Sequence, residues 1–252
     1  MIRHIRAPQE RKKREGRLIK VVAFDLDNTL WESEIVIRRA ELRLMEWFED
    51  NVPQSKYDTI DMRELRQEVL KKHPELSGKV TGLRRFIISE ILKASAVEPC
   101  SIDKTTDAAM KVFLEARNEV EVFPGAIDVI KLLAKKYVIG AITNGNADIN
   151  STTLANYFSF SFTAETIGAP KPCTKIFRHA LNFTNCLPQE MIYVGDDPIL
   201  DIDAANELGI HTVWLANSKS TKSGNTKASA KINNIRELTG AVSEIIQSLD
   251  QQ

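Results

Sequence analysis

The sequence predicts an α/β protein: a parallel sheet covered on both faces, with an all-helical block inserted after the first strand. Two observations carry this. From Phe123-Pro124-Gly125 onward, short apolar strands alternate with amphipathic helices, the rhythm of a sheet buried on both sides. Before that point, residues 33–119 show helical periodicity and no convincing strand. At 252 residues the chain suffices for one large domain, or for a core with an insertion.

The first strand is Val21-Val22-Ala23-Phe24, a β-branched apolar run that stops at Asp25-Leu26-Asp27-Asn28-Thr29. In the helical block, Ile35, Leu42, Met45 and Phe48 give one apolar stripe, and Leu65, Val69 and Leu70 begin a second. Phe86, Ile87, Ile91 and Leu92 give a third, and Ala109, Met110, Phe113 and Leu114 a fourth. Ser101 is a candidate cap for that last helix, with Asp103 in its first turn. Pro53, His73-Pro74 and Glu98-Pro99 mark the breaks, since the residue before a proline resists helix.

Beyond Gly125 the pattern predicts a helix over 126–136, a strand at Val138–Thr143, a helix over 147–157 and a strand over 160–164. A helix over 174–184, a strand at Met191–Gly195, a helix over 200–208 and a strand at His211–Leu215 follow. Residues 218–229, rich in Lys, Ser and Thr, read as a flexible loop. The closing helix, 234–249, carries a stripe of Ile235, Leu238, Val242, Ile245 and Ile246. The resulting division is a basic extension (1–17), a core (18–32 and 120–252) and a helical cap (33–119).

Formal charge is balanced, 34 basic against 34 acidic residues, so nothing global draws the chain to nucleic acid or an anionic membrane. The basic first seventeen residues, with Arg11-Lys12-Lys13-Arg14, read as a solvated extension and lack the apolar centre of a secretory signal. Cys100, Cys173 and Cys186 are odd in number without C-x-x-C spacing. That argues against a disulfide framework or structural zinc, and for a reducing compartment, the cytoplasm. No apolar run reaches the roughly 18–20 residues that span a bilayer. The expected partner is a small molecule; the sequence is silent on oligomeric state.

The predicted strands end in Asp25/Asp27, Thr143/Asn144 and Asp196/Asp197, and ligands of such sheets bind beyond the carboxyl ends of the strands. Alternation places Asp25 and Asp27 on the same side, where they repel unless a cation sits between them or one holds a proton. A divalent cation, or a nucleophile beside a proton donor, gives the pair a use; a hydrogen-bonded turn is the plainer alternative. Thr143 and the N–H groups after it can hold an anionic oxygen, or simply form a turn. Lys171, between Pro170 and Pro172, sits on a stiff loop suited to offering a point charge to phosphate. Gly195-Asp196-Asp197 and Asp201 combine close backbone approach with acids that suit a hard cation or a helix start.

In this order and spacing the four segments resemble the haloacid dehalogenase superfamily, over nearly the whole chain. Its D-x-D-x-T motif is matched by Asp25, Asp27 and Thr29, and its strand-ending Thr or Ser by Thr143. Its lysine ahead of an Ile-Phe helix is matched by Lys171, and its G-D-x-x-x-x-D motif by Gly195, Asp196 and Asp201. The resemblance implies a Rossmannoid core with a helical cap, Mg²⁺ as cofactor, and hydrolysis of a phosphate ester through an aspartyl-phosphate. Asp25 is then nucleophile and metal ligand, while Asp27 is general acid and a metal ligand through its backbone carbonyl. Asp196 is the remaining metal ligand; Thr143, Asn144 and Lys171 bind substrate, and Asp201 orients Lys171 or a metal-bound water. Asp197 is left between this site and a helix start.

Dehalogenases of the family attack carbon without a metal and usually lack the second aspartate, so Asp27 points to a phosphatase. A phosphomutase or a non-catalytic phosphometabolite-binding protein shares the same motifs. Phe24-Asp25-Leu26-Asp27, Leu65-Arg66-Gln67, Arg84-Arg85-Phe86, Ala141-Ile142-Thr143-Asn144-Gly145-Asn146-Ala147 and Val194-Gly195-Asp196-Asp197 are similar to bacterial phosphatases of FMN and of the ribityl-phosphate intermediate of riboflavin synthesis. Asn28, where those relatives often have Asp, and the loop Ile167-Gly168-Ala169-Pro170 depart from them. Trp31, Trp47, Arg84, Arg85 and Phe86 are candidates for recognising the organic part of the substrate, by stacking or by binding its oxygens. Nucleoside monophosphates, sugar phosphates and pyridoxal phosphate remain alternatives.

Overall fold

The computed structural model describes residues 19–55, 57–216 and 226–251. Six strands form one parallel sheet: β1 (Val21–Phe24), β2 (Val138–Thr143), β3 (Phe160–Thr163), β4 (Met191–Gly195), β5 (His211–Leu215) and β6 (Ala230–Ile232). Their spatial order is β3-β2-β1-β4-β5-β6. The α/β expectation with its Rossmannoid sheet therefore holds. The strand β6 went unread, because three residues are too few to display a period.

β1 lies at the centre because all four of its side chains are buried. Val22 and Phe24 face one way, towards Ala126 and Ile130 of α5 (Ala126–Ala134) and Leu238 and Val242 of a closing helix, Leu238–Leu249. Val21 and Ala23 face the other way, towards Ile176, Phe177 and Tyr193. Each fully buried Val or Phe contributes on the order of 1.5–3 kcal/mol. Gly140 of β2 is required by packing: a Cβ there would lie 1.9 Å from the ring of Phe160, its partner on β3.

Four helices make the block between β1 and α5: α1 (Ser33–Asn51), α2 (Met62–Lys72), α3 (Val80–Ala94) and α4 (Ile102–Asn118). They enclose an apolar cluster of their own, with Leu44, Phe48, Ile88, Leu92, Ala109 and Phe113 at its centre. The stripe expected on α1 is displaced: Val36, Ala40, Leu44 and Phe48 are buried, whereas Ile35 and Leu42 are exposed. Alanine on the inner face masked the true stripe. Ser101 makes no side-chain cap, because α4 continues directly from a 3₁₀ turn, Pro99–Ser101. The core side supplies a cap elsewhere, since the Glu165 carboxylate accepts N–H bonds from Thr81 and Gly82 at the start of α3, both 3.0 Å.

The remaining helices are α6 (Ala164–Ile167), α7 (Lys175–Thr184), α8 (Ala204–Asn206) and α9 (Leu238–Leu249). The helix expected over 147–157 is absent; the segment holds one 3₁₀ turn, Ile149–Ser151. Asp148 and Thr152 accept nearby backbone N–H bonds there, local pairings that compete with a helix. Residues 200–208 form not one helix but the end of a π-helical turn, Pro198–Asp203, followed by α8. The basic extension and residues 218–225 of the expected loop lie outside the described residues. No helix among the described residues is long and apolar enough to cross a membrane.

His211 opens β5 with its Nε2 buried and unpartnered among the described residues. Burial holds its pKa below the usual 6.5, against an opposing hydrogen bond to the backbone of Gln189. The native ring thus stays neutral while the unfolded ring takes a proton, so its contribution is present above pH about 6.5 and lost as pH falls below it. His211→Asn should flatten the fall of the urea midpoint between about pH 6.5 and 5; an unchanged slope would assign that fall to other groups.

Candidate active site at the carboxyl edge of the sheet

The chain leaves β1 for β2 on one side and returns as β4 on the other, opening a crevice at the carboxyl ends of β1 and β4. Phe24 is in register with both Ala141 and Val194, so Asp25 emerges beside Ile142 and Gly195, its N–H bonded to the Val194 carbonyl at 2.9 Å. Strand alternation carries Asp25 onto the face of Val21 and Ala23, which is also the face of Tyr193.

Lys171 is the hub of that face. Its Nζ, 4% exposed as a residue, donates to Asp25 Oδ1 at 2.7 Å, Asp201 Oδ1 at 2.6 Å, the Tyr193 hydroxyl at 2.9 Å and the Ile142 carbonyl at 3.2 Å. The Tyr193 hydroxyl donates in turn to the Ile142 carbonyl at 2.7 Å. Asn144 clamps the lysine's main chain from both ends, accepting from Lys171 N at 2.8 Å and donating to Lys171 O at 3.0 Å. Its side chain therefore positions the lysine, a contact not anticipated for a residue expected on the substrate. Buried Thr143 accepts from the Gly145 N–H at 3.0 Å. Asp201 approaches closely because residue 195 is glycine: a Cβ there would lie 2.4 Å from the Asp201 carboxyl.

Asp196 accepts from the Thr29 hydroxyl at 3.3 Å, and its carbonyl accepts from Trp214 Nε1 at 3.0 Å. Asp197 accepts the N–H groups of Ile199 and Leu200, so it starts the π-helical turn.

The carboxylates of Asp25 and Asp27 pair with different side-chain cations. Arg117, in the last turn of α4, points Nη2 at Asp27, 2.7 Å from Oδ1 and 2.6 Å from Oδ2. Trp31 Nε1 donates to Oδ1 at 2.9 Å. Trp31 is fully buried, so it orients Asp27 instead of stacking on a substrate ring. The other recognition candidates are engaged within the cap. Trp47 packs edge-on against Phe48, Phe86 lies against His73, and Arg85 pairs with Asp107. Arg84 pairs with Glu41 at 2.7 Å and lies 3.7 Å over the Phe113 ring.

Carboxylate oxygens of Asp25, Asp196 and Asp201 lie within 4.8 Å of one another, against the single ammonium of Lys171. Burial pushes Asp25 up to about 8, with Lys171 opposing and Asp201 adding to the rise. Burial likewise pushes Asp196 up to about 7, reinforced by Asp201. Lys171 is driven upward by Asp201 and Asp25, against its own burial. The crevice thus gathers more carboxyl groups than Lys171 can keep ionised, all of them oxygen donors, which fits a hard divalent cation such as Mg²⁺. The Asp27 carboxylate stands outside this group, so its expected part in metal binding rests on its backbone carbonyl.

Tyr193, Trp214 and Arg117 were not singled out by sequence. The first two read as ordinary apolar strand residues. Arg117 did leave a signal: it continues the spacing of Ala109 and Phe113, a charge on a buried stripe.

A parallel sheet with a helical cap and an acid-rich crevice at its switch point describes a class of α/β hydrolytic enzymes. The chain belongs to the haloacid dehalogenase-like hydrolases, whose family model matches residues 19–209. It is 31% identical over 198 residues to the 5-amino-6-(5-phospho-D-ribitylamino)uracil phosphatase YigB of Escherichia coli, covering 78% of this chain and 83% of that protein. It is 30% identical to a glyceraldehyde 3-phosphate phosphatase of Pyrococcus furiosus, covering 81% and 83%. A solved structure named as a 2-haloacid dehalogenase, from Pseudomonas syringae pv. Tomato, superposes with a TM-score of 0.84 at 30% identity, covering 90% and 99%. A magnesium-bound hydrolase of Bacillus subtilis, YfnB, shares the fold at a TM-score of 0.59 and 19% identity, covering 88% and 97%. The phosphatases among these relatives bear out the expectation of a phosphoric monoester hydrolase.

Gly145 gives a direct test of how Asp27 is placed, because a Cβ there would lie 2.4 Å from Asp27 Oδ2. Gly145→Ala should lower kcat for phosphate-ester hydrolysis by about 100-fold, the scale of an ångström's misplacement, while Mg²⁺ still raises Tm. Full activity would show that Asp27 need not occupy this position.

Proposed function

We propose that this chain is a Mg²⁺-dependent phosphatase that hydrolyses a small-molecule phosphate monoester in the cytoplasm through an aspartyl-phosphate on Asp25. The observation that carries the reading is the separation of two carboxylates by partner: Asp25 on Lys171, Asp27 on Arg117. This separation supports a nucleophile in the first and a proton carrier in the second.

Asp25 attacks phosphorus in line, steered by the bond from Lys171 to Oδ1. Lys171, the Thr143 hydroxyl and the backbone N–H groups at Asn144 would neutralise the phosphoryl oxygens. The carboxylates of Asp25 and Asp196, with the Asp27 carbonyl, would hold Mg²⁺, which supplies further neutralisation when bound. Asp27 Oδ1 already accepts two N–H bonds and Oδ2 one, so the remaining lone pair of Oδ2 is where a transferable proton would sit. That proton goes to the leaving alkoxide, and the same oxygen then takes one from the water that hydrolyses the intermediate. Asp201 acts through Lys171, which it holds at 2.6 Å.

For substrate, the likeness to the ribitylaminouracil phosphatase favours a ribityl phosphate or FMN. Glyceraldehyde 3-phosphate and phosphoserine, named in other relatives, keep sugar phosphates and other small esters as alternatives. The structural relative named as a dehalogenase supports a second reading, attack on a haloalkanoate. Asp27, held beside the nucleophile by two donors, favours the phosphoester, whose leaving oxygen needs a proton.

Asp25→Asn should reduce hydrolysis of p-nitrophenyl phosphate by about a thousandfold or more with Tm unchanged or raised; residual turnover of several per cent would remove Asp25 as nucleophile. Chelation should abolish turnover, Mg²⁺ should restore it, and beryllofluoride with Mg²⁺ should inhibit as a mimic of the phosphoaspartate. Release of chloride from chloroacetate with no phosphatase activity would establish the dehalogenase instead.

A further inference from the structure

We infer that Arg117 is a specificity-determining residue: Nη2 holds Asp27, and Nη1 receives an oxygen on the alcohol side of the phosphate ester. This rests on the phosphatase reading above. Arg117 is 1% exposed, and its Nη1 is buried with no acceptor among the described residues. A buried donor on a charged group is costly to leave unpaired, which points to an acceptor that arrives with a ligand.

The guanidinium is planar and rigid, so Nη1 lies beside Nη2 and close to the Asp27 carboxylate. Asp27 is the group that meets the leaving oxygen. In the reading above the phosphoryl oxygens are met by Lys171, which pairs with Asp25 and not with Asp27. An acceptor at Nη1 therefore belongs to the leaving alcohol: a hydroxyl, carbonyl or carboxylate oxygen near the ester carbon. Gly145 leaves room for this arrangement, because a Cβ there would lie 2.4 Å from Asp27 Oδ2. Lysine at position 117 could hold Asp27 but has no second, fixed nitrogen for the substrate.

The test compares glycerol 1-phosphate, which carries such oxygens, with propyl phosphate, which does not, using the full chain with Mg²⁺. Wild type should prefer glycerol 1-phosphate in kcat/KM by about ten- to a hundredfold, the effect of one charge-assisted hydrogen bond left unmade. Arg117→Lys should lower kcat for both esters alike and lose the preference through KM for glycerol 1-phosphate; Arg117→Met should lose the preference and lower kcat further. A Tm rise with beryllofluoride and Mg²⁺ confirms that each variant is folded. Equal kcat/KM for the two esters in wild type, or a preference that survives Arg117→Lys, overturns the inference and leaves the phosphatase reading intact. Failure of wild type to hydrolyse these esters or p-nitrophenyl phosphate overturns both. If the Arg117 variants do not fold, an Asp25→Asn crystal with glycerol 1-phosphate decides: an alcohol-side oxygen within hydrogen-bond distance of Nη1 supports the inference, and none there refutes it.

Discussion

The ammonium of Lys171 is what allows the carboxyl edge of the sheet to exist in its present form. Asp25 and Asp201 are buried, and charges removed from water are tolerated only when paired and hydrogen-bonded. Lys171 meets both, and Tyr193 and the Ile142 carbonyl complete its surroundings. These groups come from β1, β2, β4, the turn after β4 and the loop after α6. One cation thus ties together five segments at the crevice. Since it does not balance all three carboxylates, the same arrangement that holds the edge together also prepares it for a divalent cation.

A second cation joins the helical block to this edge. Arg117 stands at the end of α4, where the chain returns to the sheet, and it grips the aspartate two residues beyond Asp25. On the other side of the block, Glu165 reaches from α6 to the first N–H groups of α3. Both contacts tie the block to the core by charge, and the first is the side chain that presents Asp27. Its apolar cluster is separate from that under the sheet, with each built on its own spacing.

The legible parts of this protein are those in which a local pattern is sufficient for an outcome. Val21–Phe24 must be a buried strand, because four apolar side chains in a row need cover on both faces. Aspartates that end such a strand must lie at its carboxyl edge. Where the pattern was broken by a small residue, the reading slipped: Ala40 hid the inner face of α1, and Ile35 and Leu42 drew attention to the outer one. Where side chains satisfied the backbone locally, as around Asp148 and Thr152, a helical spacing did not become a helix.

By itself the sequence determined the α/β class, the inserted helical block, and the grouping of Asp25, Asp27, Thr143, Asn144, Asp196 and Asp197 at one edge, because strand period and strand ends are local properties; Lys171 and Asp201 joined them only through the resemblance of the motifs. Which charge answers which was decided only by the tertiary structure. Asp25 and Asp27, neighbours along the chain, meet different basic side chains, drawn from 146 and 90 residues away. Ion pairing depends on distance in space and on burial, and neither is encoded in the spacing of two residues along a chain.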